Sequence, residues 1–237
     1  MGTELSQDFY NLTGSTLTEQ QSMAFDIYAH ELQDWNRRYS LTAIRNSEKV
    51  RVKHYLDSLS AYLVMCNTPV ESVVDVGTGA GFPGLPLKIL WPHLQLTLVE
   101  SVEKKVRFCE HIVDKLSLEN VKILRDRAEV LGRQAQHRER YDWAVARAVA
   151  HMPVLMEYLL PFVRVGGRAL AMKGETGPTE VHSAEQALRL LGGKLEQVTA
   201  VELPGVVEER YLVVINKIAS TPDKYPRRAG IPSKRPL

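Results

Sequence analysis

The chain predicts a doubly wound α/β sheet, and three features carry that expectation. A short β-branched run, Ser72 to Val76, passes directly into glycines at alternate positions, Gly77, Gly79 and Gly81, and Pro83 and Gly84 then open a helix. A second strand-like run, Leu94 to Val99, ends in Glu100. An acid at the tip of the second strand is where such sheets hold the hydroxyls of an adenosine ribose. From residue 71 onward, strand-like and helical segments alternate, the pattern of a largely parallel sheet.

Ahead of the sheet, Thr18-Glu-Gln-Gln21 has the form of a capping box. Phe25, Tyr28, Leu32, Trp35 and Tyr39 follow at three- and four-residue steps and predict one apolar helix face. Arg45 to Ser47 reads as a turn, and a helix from about Glu48 is expected to bury Val52, Tyr55, Leu59 and Tyr62. Cys66 to Pro69 closes this helical segment, so residues 1–69, 70–217 and 218–237 are expected as an N-terminal extension, the sheet domain and a basic tail.

After Glu100, Val102, Val106, Cys109, Val113 and Leu116 mark a helix that shows Lys104, Lys105 and Arg107 on its other face. Val121–Leu124 is the third strand, followed by Arg127-Ala128-Glu129, and Tyr141–Ala146 is the fourth, ending at Arg147. Met152–Val163 reads as a helix, and Gly166-Gly167 as the turn into a strand over Arg168–Lys173. A helix over Glu180–Leu191 is expected to stop at Gly192-Gly193, before two strands, Leu195–Leu203 and Arg210–Asn216, close enough to form a hairpin.

The glycine spacing distinguishes between adenosine cofactors. A dinucleotide fingerprint needs glycine at position 82, where Phe82 stands. The observed Asp-x-Gly-x-Gly-x-Gly resembles the first motif of S-adenosylmethionine-dependent methyltransferases. That cofactor has no pyrophosphate, but it carries a sulfonium and an ammonium, for which Asp75 is a candidate partner. S-adenosylmethionine rather than NAD is therefore the expected ligand.

Composition narrows the chemistry further. The 237 residues are 44% hydrophobic and 24% charged, enough for a full core in one large domain or one domain with an appendage. No signal peptide or membrane span is visible, and a cytoplasmic monomer is expected. Cys66 and Cys109 form no metal or disulfide spacing, and neither ends a core strand, which argues against thiolate-dependent pyrimidine methylation. No Asn/Asp-Pro-Pro-aromatic tetrapeptide of the amino-group methylases is present. What remains is an acceptor that is already nucleophilic, such as guanine N7, which needs alignment more than a base.

Two basic stretches, Arg37–Lys53 and Lys217–Arg235, have the charge expected of a surface for phosphate, or of a solvated face. His54 and Asp57 are three apart on a helix face and could pair, leaving His54 either architectural or substrate-facing. Arg127, Arg147 and Lys173 each follow a strand, at the edge where ligands bind.

Trp35-Asn36, Leu41-Thr42, His54-Tyr55-Leu56-Asp57-Ser58, the run from Asp75 to Pro86, Lys105-Val-Arg107-Phe108, Arg127-Ala-Glu129, Ala146-Arg-Ala148 and Met172-Lys-Gly174 occur in order. This set resembles the RsmG family, also called glucose-inhibited division protein B, the 16S ribosomal RNA guanine-N7 methyltransferases. The resemblance runs from about Trp35 to the end of the chain. It implies a Rossmann-like methyltransferase fold, a mostly parallel seven-stranded sheet closed by an antiparallel hairpin. It also implies methyl transfer from S-adenosylmethionine to a guanine near the decoding region.

By position, the resemblance places Gly77, Gly79 and Phe82 on the methionine side, with Glu100, Ser101 and Val102 at the ribose. Ala128 and Glu129 flank the adenine, and Arg147 reaches the cofactor or acceptor pocket. Lys104, Lys105, Arg107, Arg127 and Lys173 are expected to surround the pocket mouth and bind RNA backbone. Two other readings stay open: a methyltransferase for a small molecule or protein, and a non-catalytic RNA-binding factor.

Overall fold

The computed structural model describes residues 1–68 and 70–237; Pro69, at the expected end of the helical segment, lies outside the described residues. Seven strands form one sheet: β1 Ser72–Val76, β2 Gln95–Val99, β3 Val121–Leu124, β4 Tyr141–Arg147, β5 Val163–Lys173, β6 Gly193–Val201 and β7 Arg210–Lys217. Their order is β3-β2-β1-β4-β5-β7-β6. Strands β1 to β5 pair in parallel, and β7 runs antiparallel to both β5 and β6. The order reverses between β1 and β4, and in such sheets the crevice at the reversal holds the ligand.

Alternation along β1 explains the two-faced core. Val73 packs with one cluster and Val74 and Val76 with the other, as successive residues of a pleated strand must. The first face carries the N-terminal helices α1 Gly2–Thr13, α2 Glu19–Tyr39, α3 Ser47–Val50, α4 Asp57–Leu59 and α5 Tyr62–Met65. It also carries α6 Gly84–Leu90 and α7 Glu103–Lys115. The second face carries α8 Ala128–Leu131, α9 Met152–Leu159, α10 Gly177–Ser183 and α11 Glu185–Leu191, with residues of the C-terminal segment that ends in α12 Ile231–Lys234.

The capping box forms: Gln21 N–H donates to the Thr18 hydroxyl, and Thr18 N–H to the Gln21 side chain. Helix α1 falls within the expected helical extension without having been singled out; Leu5 and Phe9 bury it against α2. The apolar face of α2 is shorter than its periodicity suggests. Phe25, Tyr28 and Leu32 are buried, but Tyr39 is 46% exposed. Tyr62 is likewise only half-buried. Asn46, within the expected turn, caps α3 through Lys49 N–H.

Several boundaries also move. Helix α9 stops at Leu159, and β5 begins at Val163, well before the expected Arg168. Gly166 adopts φ 83° inside that strand, where the pairing with β4 slips between Tyr141 and Trp143. Such an irregularity lets a strand bend and continue where a glycine pair suggests a turn. The helix expected over Glu180–Leu191 is two helices, broken at Ala184, and Gly192 ends the second in the left-handed region. The hairpin is present, with β6 beginning at Gly193 and ending at Val201.

Candidate active site

The glycine loop leaves β1 at the carboxyl edge of the sheet, and its shape depends on bare backbone. Gly77 has φ 71°, and a Cβ there would lie 2.8 Å from Val149 Cγ2. Gly81 has φ 93°, and a Cβ would meet the Tyr28 hydroxyl at 2.4 Å. That hydroxyl donates to the Ala80 carbonyl at 2.5 Å, so α2 grips the loop from the first face.

Asp75 lies beneath the loop, fully buried, and lines neither of the cavities at this edge. Its Oδ2 accepts from the Thr78 hydroxyl at 2.6 Å and from Gly84 N–H at 2.8 Å. Its Oδ1 has no hydrogen-bond partner among the described residues. Burial pushes its pKa up to about 6. Asp75 is therefore a brace for the loop and does not reach the cavities as a cation's direct partner would.

Glu100 sits at the tip of β2, 6% exposed. One carboxylate oxygen accepts from Ser101 and Val102 N–H at 2.7 and 2.8 Å, at the start of α7. The other accepts from Gly79 N–H at 3.0 Å, tying the two strand tips together. A small cavity of about 140 Å³ opens beside it, lined by Gly77, Glu100, Ser101, Ala128, Glu129 and Tyr158 among others. The side chain of Val102 is 41% exposed and does not line it.

On the other side of Gly77 lies a larger cavity of about 550 Å³. Gly77 lines both. Gly79, Phe82, His54, Asp57, Lys105, Arg147 and Lys173 line the larger one. The Phe82 ring is 5% exposed and stacks on Tyr28 at 5.4 Å and on His54 at 4.8 Å. The Arg147 guanidinium lies 5.1 Å from its centroid.

Arg147 is fixed by a local irregularity. Residues Arg51–Leu56 form a π-helical turn, a rare conformation that is frequent at functional sites. Arg147 Nη1 donates to the His54 carbonyl at 3.1 Å and to Asp57 Oδ2 at 2.7 Å. Asp57 thus pairs with Arg147 and not with His54, correcting the pairing the helix spacing suggests. His54 instead meets Thr42 Oγ1 at 2.9 Å through Nε2. Burial and the adjacent guanidinium lower the His54 pKa to about 3.

The five expected phosphate cations do not form one ring. Lys105 lines the larger cavity, and Arg127 is exposed at the rim of the smaller one. Lys104 and Arg107 line a separate groove with Trp35 and Tyr39. There Lys104 donates to the Tyr39 carbonyl and Arg107 pairs with Glu103. Lys173 is spent inside the fold, 2.6 Å from Glu180 and bonded to the Ala150 carbonyl. Neither cysteine serves chemistry at the site: Cys66 is exposed and Cys109 is buried under Gly79, its thiol pKa raised by burial.

Tyr28, Thr42, Val149 and Tyr158 belong to this edge and were not singled out as site residues by the sequence. Tyr28 sits within an ordinary apolar stripe, and Val149 and Tyr158 follow β4 without any motif.

A family model described as rRNA small subunit methyltransferase G, GidB, matches residues 21–212. A curated protein of that name from Roseiflexus castenholzii is 51% identical over 224 residues, covering 94% of this chain and 95% of its own length. Another from Bacillus cereus is 42% identical over 237 residues, covering 100% and 99%. Among solved structures, TrmN from Thermus thermophilus superposes with TM-score 0.55 at 20% identity, covering 77% of this chain and 53% of that one. The YcgJ protein from Bacillus subtilis gives 0.53 at 13% identity, over 69% and 99%. These two show the fold alone. The sequence relatives, aligned along nearly the whole of both chains, show that this chain belongs to the GidB family, rRNA small subunit methyltransferase G.

Proposed function

We propose that this chain methylates N7 of one guanine in 16S ribosomal RNA near the decoding region, acting as a cytoplasmic monomer on the RNA or the small subunit. The observation that carries the reading is Gly77, the shared wall between a small cavity with an acid and a large one with a guanidinium. The family's cofactor fits the cradle: a Cβ at Gly77 would press on Val149, another wall of the small cavity, and Glu100 offers a carboxylate there. Glu100, Ser101, Ala128 and Glu129 then hold the adenosine end, with Val102 acting through its N–H on Glu100, and Gly77, Gly79 and Phe82 the amino-acid end. Asp75 supports that end from below the loop.

When bound, S-adenosylmethionine supplies an electrophilic methyl group on a sulfonium. The protein's part is to bind and orient. Guanine N7 carries a lone pair and loses no proton when alkylated, so no general base is required. The residues suit this: His54 stays neutral far below pH 7, and the Cys109 thiol is protonated and buried. Arg147, fixed by Asp57, lends the large cavity a positive wall that favours an electron-rich base edge. Lys105 and Arg127 stand at the two rims as candidates for backbone phosphate.

The test is single-turnover transfer of labelled methyl to small subunits lacking the modification, followed by mapping of the labelled nucleotide. Label at one guanine N7 is expected. Label on an exocyclic amine or a ribose hydroxyl would overturn the proposal.

A further inference from the structure

The residues after β7 are docked, and in two stages. In the first, Thr221 N–H donates to Glu139 at 2.7 Å, and the Thr221 hydroxyl to the Leu191 carbonyl at 2.9 Å. Tyr225 is buried in the second-face core, and its carbonyl accepts from Arg138 at 2.8 Å. Arg227 then grips the fully buried Glu157 through its backbone N–H and its guanidinium, the closest contact being 2.6 Å. This stage spends charge that the sequence offers as a basic tail. Lys217 is likewise buried, bonded to the Leu160 carbonyl and 3.3 Å from Glu139.

The second stage does something different. Gly230 N–H donates to Glu129 Oε1 at 2.9 Å, and Ser233 pairs with the Tyr158 hydroxyl at 2.8 Å. Glu129 and Tyr158 both line the small cavity, on α8 and α9. The last nine residues therefore touch this edge of the site through two of its own wall residues. Gly230 can offer its N–H there because it holds φ 81°. The contact is not needed to fasten the segment, which Arg227 and Glu157 already anchor.

We infer that Ala229–Leu237 is a positioning element for the cofactor, holding Glu129 and Tyr158 in the geometry that receives the adenosine end. The inference rests on the reading of the small cavity as the adenosine subsite. Its physical basis is preorganisation: a side chain already fixed by a neighbour has less conformational freedom to lose when a ligand arrives. Without the segment, Glu129 loses a donor to a carboxylate that is only 4% exposed, and Tyr158 loses its hydroxyl partner. Both must then be ordered by the ligand itself, which lowers affinity by about tenfold for two side chains.

The experiment compares the full chain with a chain ending at Arg228, which keeps every contact from Thr221 to Arg227. Calorimetry is done with S-adenosylhomocysteine and with 5′-methylthioadenosine, which lacks the amino-acid end. Roughly equal weakening of both ligands, about tenfold, with a cooperative melting transition retained, is expected. Full-strength binding by the shortened chain, while Glu100→Ala weakens both ligands, would overturn the inference and leave the subsite reading standing. Binding that Glu100→Ala does not alter would overturn the subsite reading and the inference with it. Should the shortened chain fail to fold, Ser233→Ala and Ser233→Thr decide. The inference requires weaker binding in the first and recovery in the second, which restores the hydroxyl; wild-type affinity in both would overturn it.

Discussion

The N-terminal helices and the C-terminal segment approach the same edge of the sheet from opposite faces, and they hold it by different means. On the first face the grip is aromatic and buried. Tyr28, Tyr55 and Phe82 pack ring to ring, Tyr28 bonds the glycine loop, and Asp57 holds Arg147. On the second face the grip is one ring, Tyr225, in the core, among polar anchors, the last of which, at Gly230 and Ser233, are solvent-exposed. The first arrangement is continuous with the hydrophobic core, so loosening it loosens the fold. The second can lose its final turn with little of that face's core withdrawn, chiefly the partly buried Leu237 and the buried Pro232. One end of the chain thus builds the loop, and the other adjusts its neighbour.

The sharpest way to break this contrast is at Asp57. It is 6% exposed and is the only carboxylate bonded to Arg147 among the described residues. Asp57→Ala should cost about 3–5 kcal/mol, the scale for a buried ion pair deprived of one partner. Urea unfolding measures it, and a loss below about 1 kcal/mol would show that Arg147 finds its partners in the π-turn carbonyls alone.

Next comes Tyr28→Phe, which keeps the ring stack and removes one hydroxyl. The Ala80 carbonyl then loses its donor, at a cost of about 1–3 kcal/mol. Stability and cofactor affinity should fall together, because the bond holds the glycine loop itself. Lower stability with unchanged affinity would show that the loop keeps its shape without α2.

The pH dependence tests the same packing through charge. His54 has a pKa of about 3 when folded and about 6.5 when unfolded. The unfolded chain therefore binds the extra proton between those values, and stability is lost as pH falls from about 6.5 toward 3. Asp75, raised to about 6, acts in the opposite sense: its contribution is present at low pH and is lost as pH rises from about 3.8 through 6. His54→Asn should therefore show a smaller drop in unfolding free energy between pH 7 and pH 5 than the wild type. An identical drop would mean the imidazole is not buried as the cavity wall requires. Between pH 7 and 8.5 His54 does not titrate and Asp75 is largely ionised, and a chemistry-limited transfer rate should be flat.

The smallest effects belong to the rim. Lys105→Gln should reduce the salt slope of RNA binding by about one unit, whereas Arg107→Gln, already paired with Glu103, should change it less. Filter binding across a salt series separates them, and equal slopes for both variants would return Arg107 to the phosphate surface.

Much of the site was legible because its signals are local. Three alternate glycines after a strand, and an acid at the tip of the next, state their chemistry within a few residues. The largely parallel sheet follows from the alternation of strands and helices, the closing hairpin was implied by the family resemblance and by the short span between the last two strands, and the strand order came from the structure. The misreadings fall where a glycine was taken as punctuation, as at Gly166, or where a cation was counted without its partner, as at Lys173.

The sequence alone determined the cradle, its cofactor class and the sheet that presents it, since these depend on backbone freedom and on periods of two and of about three and a half residues. Only the tertiary structure decided that Arg147 leans on Asp57, 90 positions away, and that Arg227 reaches Glu157 across 70. It alone brought Gly230 to Glu129 across 101. A charge in a sequence has no fixed partner. Which carboxylate it meets is set by how the layers close, and that closing brought a basic tail against two residues of the site's wall.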